Sequence, residues 1–129
     1  MHRLGLFILF VVLLAPPARA QNLIAEYQAL LGPADHYNSA GLRLEDFGAI
    51  LQQDRANYHR FGRRDDLDGW DPVFGDPRQR ALIPQIWRIA PGSEYIPGSV
   101  VAGGTSYVSV RVFGYGTVAE FIIVQEGAG

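Results

Sequence analysis

Between residues 107 and 124 the chain switches to a two-residue period, and that switch limits what it can fold into more than any other feature. Val108, Val110 and Val112 alternate with Tyr107, Ser109, Arg111 and Phe113, and the stretch from Val118 to Val124 is rich in β-branched and aromatic residues. Between them Gly114-Tyr115-Gly116 supplies residues free to take the positive φ of a tight reversal. The expected unit is an antiparallel hairpin with strands at about 106–113 and 117–124. Two strands alone are marginal in water, so this hairpin must rest on another layer. Val118, Ile122 and Val124 fall on one face of the second strand and Phe121 and Ile123 on the other. A helix layer covers one such face, which leaves the other face and an open hairpin edge for a partner.

Upstream the period is helical. Leu23, Ile24, Tyr27, Leu30 and Leu31 follow an i, i+3/i+4 pattern that predicts a helix over 22–31, stopped by Gly32-Pro33. Residues 34–43 are polar and turn-rich and read as a loop. Leu44, Phe47, Ile50, Leu51, Tyr58 and Phe61 form one stripe, with Glu45 and Asp46 at the positive helix end and Gly62 as a cap, which predicts a helix over 44–61. Asp71-Pro72 and Asp76-Pro77 each set an N-cap residue before a proline, so both read as helix starts. The first gives one turn at most; the second opens a helical stretch over 77–90, kinked or ended at Pro84. The expected fold is therefore α+β, with N-terminal helices packed on a C-terminal hairpin.

The first twenty residues stand apart. A basic start at Met1-His2-Arg3 precedes a twelve-residue apolar run from Leu4 to Ala15, then Pro16-Pro17 and Ala18-Arg19-Ala20. A spanning helix needs roughly 20 apolar residues, so the run fits a cleaved leader rather than a permanent membrane anchor. Residues 1–20 are read as that leader and residues 21–129 as one small domain. Loss of Arg3 and Arg19 would leave nine cationic residues, all arginine, against thirteen acidic ones, which argues against a nucleic-acid partner. The absence of cysteine from the sequence excludes a disulfide framework, a thiol nucleophile and a thiolate metal site. An exported, disulfide-free chain of this size points to a bacterial periplasmic or secreted protein.

No motif for a particular reaction or cofactor is present. There is no Gly-x-Ser-x-Gly elbow and no lysine, and Gly103-Gly104-Thr105-Ser106 leads into a strand instead of a helix, so it makes no phosphate loop. Asp65, Asp66, Asp68, Asp71 and Asp76 offer oxygen ligands, yet an EF-hand register on Gly69 puts Arg64 and Gly75 at the first and last ligand positions. Those aspartates read instead as caps and as partners of Arg60, Arg63, Arg64, Arg78 and Arg80. The metal alternative would join His36 and His59 with Asp66 and Asp68. Aromatic residues in turns carry the leading reading: Trp70 and Tyr115 sit where no core needs a large ring, and with Phe121 and Ile123 they form the candidate contact set. The expectation is a non-enzymatic exported domain binding an envelope protein or polymer, with a metal-binding protein or metal-dependent enzyme using His36, His59 and the aspartate loop, or a structural homodimer, as alternatives.

Overall fold

The computed structural model describes residues 22–128, and the leader expected at residues 1–20 lies outside the described residues. The chain is a mixed α+β domain built on one four-stranded sheet. Strand β1 is Asn22–Leu31, followed by a 3-10 turn at Pro33–His36 and helix α1 at Phe47–His59. Two single-turn helices, α2 (Pro77–Arg80) and α3 (Ile83–Ile86), run into the short strand β2 (Trp87–Ile89). Helix α4 (Ile96–Val101) then leads to the hairpin, β3 (Ser106–Tyr115) and β4 (Val118–Glu126). The sheet order is β1-β3-β4-β2, with β1 and β4 antiparallel to β3 and β2 parallel to β4.

The hairpin forms where the period predicts it. It turns on two residues, Gly116-Thr117, and Gly116 takes a φ of +56°, the left-handed region that glycine enters without steric cost. Its edges are not open, however: β1 pairs along β3 and β2 along β4, so both hairpin strands are interior. This corrects the expectation of a free hairpin edge.

The segment 22–31 is a strand, not a helix. Tyr27, Ala29 and Leu31 alternate into the core, while a bulge at Ile24 breaks the two-residue period and leaves an apparent helical spacing. Alanine, leucine, glutamate and glutamine favour helices locally, yet pairing with β3, far away in sequence, overrides that preference. The stretch 77–90 also differs: Pro84 lies in the first turn of α3, and the chain is already extended by Trp87. Asp76 caps α2 as expected, its side chain accepting from the Arg78 N–H at 2.9 Å.

Helix α1 begins at Phe47 because Asp46 caps it, accepting from the Ala49 N–H. Its Phe47, Ile50 and Leu51 pack on the sheet face carrying Tyr27, Leu31, Val108, Val110, Ile122 and Val124. Each of these buried side chains contributes roughly 1.5–3 kcal/mol. Close approach to α3 depends on Gly48, where a Cβ would lie 2.7 Å from the Pro84 Cα and 2.9 Å from the Trp87 Nε1. Trp87 packs edge-on against Phe47. The opposite sheet face, by register, carries Leu23, Phe113 and Phe121 in one row, then Glu26, Arg111, Ile123 and Arg88 in the next. No helix among the described residues is long and apolar enough to cross a membrane.

Candidate functional site

The apolar stripe of α1 has a gap at Asp54 and Arg55, and these two residues build the least expected part of the molecule. A helix that buries Ile50, Leu51 and Tyr58 must also turn the intervening positions inward. Arg55 is fully buried: its Nε donates to the Asp54 carboxylate at 2.8 Å, and its Nη1 donates to Asp71 and to the Gly69 carbonyl, both at 2.9 Å. The guanidinium lies 3.9 Å from the Tyr27 ring centroid and 4.8 Å from that of Tyr58.

Asp71 collects four donors. One carboxylate oxygen accepts from Arg55 and from His59 Nε2 at 2.7 Å, and the other accepts from the backbone N–H groups of Val73 and Phe74. Burial opposes its charge, but the bonds from Phe74, His59 and Arg55 outweigh burial and hold the carboxyl below the usual carboxylate range. Asp54 goes the other way. Burial pushes its carboxyl up to about 7 despite Arg55, since only one of its oxygens meets a donor. Two acids on one arginine thus divide the roles, Asp71 as the anion and Asp54 as the group that takes a proton near neutrality.

This cluster pins the segment after α1. Asp68 accepts from the Leu30 N–H, and the Gly69 N–H donates to the Gln28 carbonyl, which closes that part of the outer edge of β1. Arg64 Nε donates to the Tyr58 carbonyl, and the buried Arg80 donates to the carbonyls of Phe74 and Gly75. The residue between Gly69 and Asp71 is Trp70, which is 65% exposed. Leu67 in the same segment is also exposed, as is Phe61 just after α1. A large ring is therefore held in solvent by a backbone whose neighbours on both sides are fixed by hydrogen bonds to α1, β1 or both.

The other residues singled out in the sequence are distributed as follows. Tyr115 is exposed beside the hairpin turn, and Phe121 and Ile123 lie on the sheet face away from the helices. Phe121 is only 7% exposed, stacked on Phe113 at 4.8 Å and covered by the Arg88 guanidinium at 4.1 Å. It is covered by its own chain and presents little surface for contact. His36 is buried, and its Nε2 donates to the Val100 carbonyl. His59 spends its Nε2 on Asp71, Asp68 closes the β1 edge, and Asp66 is exposed. Among the described residues no group of three or more metal-ligating side chains comes together. The ion pairs found there join Arg55 to Asp54 and Asp71, and His59 to Asp71; Arg60, Arg63, Arg64, Arg78 and Arg80 form none. The His59–Asp71 contact resembles the base-and-orienter half of a nucleophilic site. Among the described residues, however, no hydroxyl or amine is hydrogen-bonded to its Nδ1.

With known proteins there is no likeness to report: no family model, no curated protein and no solved structure matches the chain.

Proposed function

We propose that this chain is a non-enzymatic exported binding module that holds a protein of the cell envelope by seating Trp70 in an apolar pocket of that partner. The observation that carries the reading is Trp70 itself, two-thirds exposed between two residues locked by the Arg55 cluster. A tryptophan on a backbone held on both sides offers large contact area without ordering a loop on binding, and tryptophan is among the residues that dominate interface energy. Leu67, three residues earlier in the same segment, is exposed as well. The envelope setting rests on the leader-like residues 1–20.

A photoreactive benzoylphenylalanine at position 70 tests this. Irradiation of an envelope fraction should yield a discrete adduct with one protein, and that purified protein should bind Trp70→Ala at least about tenfold more weakly than wild type, about 1.4 kcal/mol. The melting temperature of Trp70→Ala should stay within the small range of surface substitutions, about 0.5 kcal/mol. An adduct with a second copy alone would make the chain a homodimer. Labelling no different from that at exposed Leu82 would overturn the reading.

A further inference from the structure

A second site, with a lining that does not include Trp70, lies where β3 begins and β4 ends. A cleft of about 440 Å³ opens between α4 and the ends of β3 and β4, lined by Tyr95, Ser99, Thr105, Tyr107, Glu126 and Gly127 among others. Its size falls within the range of small-ligand pockets. Two glycines set its walls. A Cβ at Gly127 would lie 2.6 Å from the Tyr107 ring, and one at Gly104 would lie 2.7 Å from the Ser99 carbonyl oxygen. The Tyr107 ring and the end of α4 can hold these positions only because neither neighbour has a side chain. Glu126 is fixed through its backbone, whose N–H donates to the Oγ of buried Ser93 at 2.9 Å, while the Gly127 N–H donates to the Tyr107 carbonyl.

The chemistry of the lining is one-sided. Among the described residues that line it, Glu126 is the only charged one and no cation is present. Tyr95 lines the cleft together with Glu126, and a phenolic oxygen can accept a hydrogen bond as a carboxylate does. What remains is a carboxylate, a phenolic acceptor, the hydroxyls of Ser99 and Thr105, and two tyrosine rings whose faces attract positive charge. An anion would be repelled by the Glu126 charge, and a cation would be drawn to it.

From this we infer that the cleft binds a small organic ammonium ion, with Glu126 and Tyr95 accepting its N–H groups and Tyr107 flanking the cation. Three probes of equal length separate charge from shape: butylammonium, butanol and butyrate, followed through the backbone amide signals of the full domain. Butylammonium should shift the signals of residues 95, 99, 107, 126 and 127 with a millimolar dissociation constant, and butyrate should not. Glu126→Gln should weaken butylammonium at least about tenfold. Glu120→Gln removes the same charge elsewhere on β4 and should leave the constant unchanged. Gly127→Ala, which displaces the Tyr107 ring, should also weaken it. Equal binding of butanol and butylammonium, or a constant indifferent to Glu126→Gln, would overturn the inference, as would the absence of shifts at these residues.

Discussion

Replacing Arg55 with methionine removes the charge at the centre of the polar core while keeping most of its volume, so the expected loss is electrostatic more than a cavity effect. Arg55 is fully buried and gives up its bonds to Asp54, Asp71 and the Gly69 carbonyl. Breaking a buried ion pair from one side costs about 3–5 kcal/mol, because the partner is left charged without compensation. Asp54 softens this loss, since its carboxyl already titrates near 7 and can become neutral, and Asp71 keeps His59 and two backbone N–H groups. The low end applies, about 3 kcal/mol, a large part of the roughly 5–15 kcal/mol that holds such a domain together. At about 4–8 °C per kcal/mol the melting temperature should fall by roughly 12–24 °C. Urea unfolding at neutral pH, followed by circular dichroism, measures it, with exposed Arg60→Met as a control expected within about 0.5 kcal/mol. If Arg55→Met costs less than about 1 kcal/mol, the cluster behaves like a surface pair and the reasoning fails.

Acid should stabilise the fold before it destroys it. Burial raises the carboxyls of Asp54 to about 7 and of Asp35 to about 6, so between about pH 4 and 7 the folded chain binds more protons than the unfolded one, and stability should fall as pH rises through that window. Asp71 acts in the opposite sense: its lowered value makes its contribution present above about pH 4 and lost as pH falls further. Unfolding curves should therefore show a maximum in mild acid, and a maximum at pH 8 or above would contradict the assignment. Asp76→Ala should cost about 1 kcal/mol through loss of the N-cap, measured in the same assay, and a gain in stability would count against that cap. Gly48→Ala should be far more damaging than an ordinary helix alanine, since its Cβ would meet the Pro84 Cα at 2.7 Å; unfolding midpoints within error of wild type would show that α1 and α3 can part without cost.

Much of this architecture can be read in the sequence wherever one period dominates. The hairpin and α1 are of this kind, and their ends follow the Gly116 turn and the Asp46 cap. β1 is not, because its bulge at Ile24 imitates helical spacing and its pairing partner lies more than seventy residues away. Helix α4 is hidden for a different reason: Ile96-Pro97-Gly98 opens it with residues that ordinarily signal a turn. The candidate site was half visible. Trp70 stands out as an aromatic residue in a polar segment, while the cluster that fixes it does not, because charged residues are normally assigned to the solvent side of a helix. The usable signal was the pair Asp54 and Arg55 at stripe positions, three and four residues from both Leu51 and Tyr58. The arginines adjacent to the aspartates in sequence obscure it, although the guanidinium that pairs with Asp71 comes from the middle of α1.

That Trp70 is exposed yet rigidly held can be measured by backbone ¹⁵N relaxation across residues 66–74 in the free protein. Order parameters at Gly69, Trp70 and Asp71 should be about 0.85, the value of a rigid backbone and the same as within α1. Values below about 0.6 at Trp70 would mean a flexible loop, and the account of a fixed tryptophan presented by a buried arginine would be wrong.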